Sequence, residues 1–364
     1  MKTIIVSAAI VFLFQAAPEV SGQRDQTRLE PGHQVALIQS EGRDSSAPAE
    51  DVAVLRSAAE KGDPLAENNL AYAYVFGRGI APDKEEALKW LGRAAASGFV
   101  PAEFNLGVLY QFGYGVPRDY GKAIVNFRSA AERGFVSAEE KMGLFYEKGW
   151  GVSADPSEAI RWYRMAADRG KPEAQCKVGN GYHEGRGVPH DDAEAAKWYR
   201  TAADKGFAPA ENNLGAMYHH GMGVKQDFAE ALKWYRKAAE HGLAEAESNL
   251  GVMYEDGAGV PKDYVQAAAL YQSAALHGSE RGELNLATLY YTGRGVPLDY
   301  VSAYVWYTRA AATGDSLAVR LLKELKGVMT ARQKQEAQSR LLDGEDARSS
   351  NDELHSPFGD ALKR

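Results

Sequence analysis

Only one cysteine, Cys176, occurs among 364 residues. A lone thiol cannot close an intramolecular disulfide, and Cys176 lies too far inside the chain to carry a lipid at a processed N-terminus. Basic charge is also short: 42 Lys and Arg face 49 Asp and Glu, a formal net charge of −7. Without a basic stripe to neutralise a run of phosphates, no nucleic-acid partner is expected. The apolar run from Ile4 to Phe14 is too short to cross a bilayer core of roughly 30 Å as a helix, so no transmembrane segment is expected. Patterns that mark catalysis are missing too. The sequence has no His-Glu-x-x-His, no Gly-x-Ser-x-Gly, no Ser-x-x-Lys and no zinc-type cysteine spacing. No catalytic residue, cofactor or metal site follows, and the chain reads as a non-enzyme.

What is present starts with Met1-Lys2-Thr3, the Ile4 to Phe14 run, Pro18 and the small residues Val20-Ser21-Gly22. That order is a secretory signal peptide over residues 1–22, cut after Gly22 or Ala17, and predicts export to the periplasm or beyond the cell. Residues 23–49 are rich in Gln, Arg, Ser, Glu, Gly and Pro without periodicity and read as a disordered leader.

A 36-residue period then governs the chain. Gly77, Gly113, Gly149, Gly185, Gly221, Gly257 and Gly293 are each followed two residues later by a second glycine, Gly79 through Gly295. Such a period, repeated in register, is the signature of a solenoid whose units bury their apolar faces against their neighbours. Each unit holds two helical patterns. Helix A, as in Ala66-Glu67-Asn68-Asn69-Leu70-Ala71-Tyr72-Ala73-Tyr74, carries an apolar stripe at i, i+4 and i+8 and stops at the first glycine. Helix B starts at an aspartate shared by all seven copies, Asp83 through Asp299, which caps the first turn rather than binding metal. Glu86, Glu158, Glu194, Glu230 and Gln266, three residues on, would complete capping boxes. A tryptophan column (Trp90, Trp162, Trp198, Trp234, Trp306), a mostly tyrosine column and an alanine pair follow on the core face. Helix B ends at Gly98 through Gly314. The residue before that glycine is Arg133, Arg169, Lys205, His241 or His277 in the middle copies, where positive charge complements the helix dipole. The Gly-x-Gly elements lack the preceding strand of a dinucleotide loop and read as turns.

The pattern Ala-Glu-x-Asn-Leu-Gly-x-x-Tyr, Gly-x-Gly-Val-Pro-x-Asp-Tyr and Ala-x-x-Trp-Tyr-x-x-Ala-Ala-x-x-Gly, legible in residues 210–242 and 246–278, resembles the Sel1-like repeat family over about 63–314. The resemblance implies an all-α, right-handed α/α solenoid related to tetratricopeptide arrays, with helix A lining the concave side. It also implies adaptor or regulatory work through protein binding, often by exported bacterial proteins. Some disulfide-rich members are linked to penicillin binding, but this chain lacks their cysteine pairs. A capping helix is expected over 50–62, seven repeats over 63–314, one longer C-terminal capping helix over 315–342, and a flexible tail from 343 to 364.

With positions 66, 70 and 74 turned inward, helical geometry directs 69, 72 and 76 to the open side. The column through 69 reads Asn69, Asn105, Lys141, Lys177, Asn213, Asn249 and Asn285. Asparagine is a mediocre helix former, so its recurrence implies either a hydrogen bond to the adjoining repeat or a grip on a bound peptide. The columns through 72 and 76 vary from copy to copy. Tyr72, Phe76, Val108 and Phe112, backed by Tyr114, are expected to form an apolar patch for a partner or for the leader, and Lys148 and His220 extend the surface. Repeat four departs from the others at Gly181, one turn after Cys176, which reads as a hinge, a pocket or a site repacked by a neighbour. Glu147, His183, His219 and Glu255 succeed one another in adjacent repeats. A spacing of about 8–10 Å is long for shared metal coordination unless His220 or Glu184 assists, and pH-sensitive surface charge is the other reading. The expected function is an exported scaffold that binds a protein or peptide along helix A. An envelope enzyme is the first alternative, and a glycan binder using Tyr114 and Trp150 is the second.

Overall fold

The structure, a computed structural model, describes residues 52–349, and side chains as far as residue 342. The expected signal peptide and leader, and the tail from residue 350, lie outside the described residues. The described residues form seventeen α-helices and no strands. They divide into two compact units. The first, reaching to Asp191, holds α1 (Val52–Glu60), the pairs α2 (Pro64–Phe76) and α3 (Lys84–Ala96), α4 (Val100–Phe112) and α5 (Tyr120–Glu132), α6 (Val136–Lys148) and α7 (Pro156–Asp168), and then α8 (Pro172–Glu184). The second starts with α9 (Asp192–Ala203). It continues through the pairs α10 (Ala208–His220) and α11 (Phe228–Glu240), α12 (Ala244–Asp256) and α13 (Tyr264–Leu276), α14 (Glu280–Thr292) and α15 (Tyr300–Ala311). It ends with α16 (Ser316–Val328) and α17 (Ala331–Ser349). The fold is all-α, a helix-pair solenoid of repeated A and B helices.

Each repeat closes on itself through its turn. Helix A ends at a left-handed glycine, such as Gly77 at φ 67°. Six residues later the aspartate that opens helix B donates its backbone N–H to the carbonyl of the helix A tyrosine shared by all copies, Asp83 to Tyr74 through Asp299 to Tyr290, at 2.9–3.1 Å in all seven repeats. Its carboxylate accepts first-turn N–H groups in the copies at 83, 119, 155, 227, 263 and 299. The aspartate N–H that the expected capping boxes would use is thus held by that tyrosine carbonyl. Glu86 and Glu230 instead accept the indole N–H of Trp90 (2.9 Å) and Trp234 (3.0 Å), and each also accepts from the lysine three residues on. These bonds make the rings part of the framework, which accords with their place in the core.

Close approach explains helix A. Its middle position is glycine in most copies, and a Cβ on Gly143 would stand 2.6 Å from the ring of Tyr163 in the same repeat. The aromatic side chain of helix B lies flat on that backbone. Helix A is therefore buried on several sides, where a single stripe was expected: in α2 the residues Ala66, Glu67, Asn68, Leu70, Ala71, Ala73, Tyr74 and Val75 are all buried. Successive repeats are tied by arginines of helix B that donate to the next tyrosine hydroxyl: Arg56 to Tyr74 (2.6 Å), Arg128 to Tyr146 (2.8 Å), Arg164 to Tyr182 (2.9 Å), Arg200 to Tyr218 and Arg236 to Tyr254 (3.4 Å).

The basic residues at the end of helix B do more than meet the dipole. Arg133, Arg169, His241 and His277 reach Glu103, Glu139, Glu211 and Glu247 in the first turn of helix A, at 2.7–3.2 Å. Arg133 also donates to the carbonyl of Gly98, at the end of the preceding helix B. At the C-terminus, two helices stand where one was expected. Met329 is extended (φ −72°, ψ 141°). Thr330 and Gln333 then exchange bonds, Thr330 N–H to Gln333 Oε1 at 2.9 Å and Gln333 N–H to Thr330 Oγ1 at 3.3 Å, which restarts the helix with a reciprocal cap. Leu325 and Ala337, both fully buried, close the end of the array with Tyr304 and Tyr307. Helix α17 continues to Ser349, past residue 343 where a flexible tail was expected.

Candidate protein-interaction face

The asparagine column is a ladder between repeats. Asn105 Nδ2 donates to Asn68 Oδ1 at 2.9 Å, and Asn249 Nδ2 donates to Asn212 Oδ1 at 2.8 Å. Successive A helices therefore meet along this edge, which corrects the expected exposure of three candidates: Asn105 is 1% exposed, Asn213 6% and Val108 2%. Asn69 is half-buried, with its Oδ1 3.4 Å from Asn68 Nδ2. The acceptors Asn68 and Asn212 were missed by sequence reasoning, though the doublets Asn68-Asn69 and Asn212-Asn213 and the 37-residue offset signal them. In the second unit the ladder gains a rung, since Arg281 of α14 donates to Asn249 Oδ1 at 3.0 Å.

The expected apolar patch is narrower than predicted. Tyr72 and Phe76 are half-buried with ring centroids 4.5 Å apart, Arg78 lies over the Tyr72 ring at 5.0 Å, and Phe112 is exposed. Val108 lies in the core beneath. Tyr114 is a framework residue: its hydroxyl donates to the carbonyl of Val75 at 2.9 Å, and Lys84 covers its ring. Trp150 stacks on Tyr120 with centroids 5.1 Å apart and meets Phe145 edge-on. One face of this half-buried ring is therefore taken by protein.

Further along the first unit the A helices carry charge. Glu147 accepts from the Tyr163 hydroxyl at 2.8 Å and from Lys177 at 3.4 Å, and Lys148 lies 3.8 Å from it. Lys141 is half-buried, and burial pulls its pKa below the usual lysine value, while burial raises that of neighbouring Glu140. Buried Glu139 is likewise raised by desolvation, which Arg169 at 3.1 Å counteracts. At Gly181 the space of the missing side chain is entered by Ile160 from α7, so a neighbour repacks part of the site and a recess lined by Ala159, Ile160 and Gly181 remains.

In the second unit His219 and His220 stack with centroids 4.5 Å apart, and His219 also meets Phe228 and Tyr235 edge-on. Burial, then the charges of His220 and Arg281, pull the His219 pKa down to about 4. The ring is neutral at pH 7, and its titration falls below the physiological window expected for a surface charge sensor. His220 is exposed. Among the described residues no group of three or more His, Cys, Asp or Glu side chains could hold a metal ion, and no helix is long and apolar enough to cross a membrane.

Comparison with known proteins gives the family. The Sel1 repeat model matches residues 64–99, 100–135, 136–171, 172–207, 208–243, 244–279 and 281–315. A Sel1 repeat protein from Oxalobacter formigenes is 35% identical, with a TM-score of 0.64, over 79% of this chain and 83% of that one. A protective antigen present in uropathogenic Escherichia coli strains, which displays an SLR fold, is 32% identical, with a TM-score of 0.60, over 79% of this chain and 69% of that one. No match is found among the curated proteins. The seven matches fall on the same helix pairs that the glycine period marks out, and the chain belongs to the Sel1-repeat family.

Proposed function

We propose that this protein is an exported, non-catalytic scaffold that binds a protein or peptide segment along the open side of its A helices. Sel1-repeat proteins generally mediate protein–protein interaction. The observation that supports the finer reading is a division of labour along helix A. The tyrosine shared by every copy is spent on the framework, whereas the residue two positions on is Phe112, Lys148, His220, Asp256 or Thr292, each exposed and each chemically different. A rigid array that changes its surface chemistry once per repeat suits an extended ligand read in segments. Export rests on the order of residues in Met1 to Gly22. A protective antigen among the relatives fits an exported protein. The test is crosslinking and affinity capture from envelope and culture-medium fractions, comparing wild type with a folded Phe76→Ala, Phe112→Ala, Lys148→Ala variant. A protein captured only by wild type supports the reading. Equal capture by both moves the binding surface away from helix A.

A further inference from the structure

Gly181 in α8 stands where the other repeats place Ala73, Leu109, Phe145, Met217, Met253 or Leu289. Glycine is among the poorest helix formers, and here a core side chain is also forgone. Ile160 takes part of the space, since a Cβ on Gly181 would overlap its Cδ1. What Ile160 leaves is a recess of about 70 Å³, lined by Ala159, Ile160 and Gly181 below and by Glu147, Lys177 and Asn180 among the rim residues. That is several times the roughly 10–15 Å³ that admits one water. The rim charges balance. Glu147 accepts from Lys177 at 3.4 Å and Glu184 from Arg186 at 2.8 Å, so no net charge is left to draw a free ion. An apolar floor inside a neutral polar rim suits an uncharged side chain whose flanking main chain meets the rim groups.

We propose that this recess is a socket for a leucine- or methionine-sized side chain presented by a partner peptide. The array itself indicates the occupant, because at the equivalent positions it inserts Leu109, Met217, Met253 and Leu289 from its own helices. Repeat four leaves that insertion to the ligand, on helix α8. The inference rests on the proposal that a partner lies along the A helices, and it adds the anchor and its place.

The test is a random-peptide display on the whole chain, followed by affinity measurement on two variants. Gly181→Met with Ile160→Ala fills the socket with the residue pair that the next repeat carries at 217 and 196. Gly181→Ala narrows the socket more gently. Selected peptides are expected to share one Leu, Ile or Met, and changing it to Ala weakens binding roughly ten- to hundred-fold, as expected for losing a buried aliphatic side chain. The double variant loses the same factor while its melting temperature stays at or above that of wild type, and Gly181→Ala falls between. Peptides that bind a folded double variant within twofold of wild type overturn the socket. If those peptides are nevertheless weakened by Phe76→Ala with Phe112→Ala, the broader proposal stands without it. If no selected peptide is sensitive to any helix A substitution, both fail.

Discussion

Glycines in the left-handed region are not equal, and the last repeats allow a controlled comparison. Gly278 (φ 90°) and Gly295 (φ 69°) are both positive-φ residues, so alanine at either is strained by the backbone alone, about 1–2 kcal/mol. Their surroundings differ. A Cβ on Gly278 meets nothing within 4 Å, whereas a Cβ on Gly295 overlaps the carbonyl of Tyr264 and stands 2.7 Å from its Cβ. That obstacle is the first turn of the preceding helix B, which no side-chain rotation relieves, so overpacking adds a further 1–3 kcal/mol or so. Gly278→Ala should therefore cost about 1–2 kcal/mol and Gly295→Ala about 2–5 kcal/mol. Urea unfolding followed by circular dichroism reads both. Because Gly295 is where the loop of one repeat rests on its predecessor, its variant should also unfold with a shallower slope as the repeats uncouple. Equal losses at the two sites, or a larger loss at Gly278, would refute the argument that the second loop glycine is required by contact between repeats.

Three further outcomes are expected. Asn105→Ala removes the donor to Oδ1 of the fully buried Asn68 and should cost about 1–3 kcal/mol. Asn69→Ala should cost clearly less, and a thermal-shift comparison decides. The His219 pKa falls from 6.5 to about 4 in the folded protein, so stability present above pH 6.5 should be lost as pH falls towards 4. The loss should be roughly 1–2 kcal/mol at this partly exposed ring. His219→Gln should flatten that part of the pH–stability curve, and an unchanged curve would contradict it. Arg169→Ala strips Glu139 of its counter-charge and should cost ~2 kcal/mol at pH 7. Glu139 has a raised pKa, so the folded state takes up its proton more readily than the unfolded chain. The stability of that protonated form is lost as pH rises, and the penalty of the variant should shrink between pH 7 and pH 5, as denaturation at both values will test.

The helix pairs were legible because glycine, aspartate and the aromatic columns repeat without a slip, and each repeats for a reason visible in isolation: a left-handed turn, a cap, an apolar stripe. The site was read less well. Position 69 follows 66 by three residues, on the flank of the inward stripe and not opposite it, and there Asn105 and Asn213, like Val108 in the column through 72, are buried, Asn105 against Asn68 of the neighbouring A helix. Trp150 and Tyr114 are half-buried because each finds a partner in an adjoining repeat. The glutamates of helix B matched the letter of a capping box, yet the aspartate N–H they would satisfy was taken by a carbonyl nine residues earlier in sequence. At the C-terminus the charged amphipathic pattern runs on through Met329 and Thr330, and only the reciprocal Thr330–Gln333 cap reveals the break.

The arginine-to-tyrosine bonds always span 18 residues, and the asparagine bonds of the ladder always span 37. An array wired by constant offsets carries no record of how many units it has. Cutting out residues 208–243, one whole repeat, would place Arg200 before Tyr254 at the separation it now has from Tyr218. Length in such an array can change by whole units while these sequence offsets are kept, and the number of A helices changes with it.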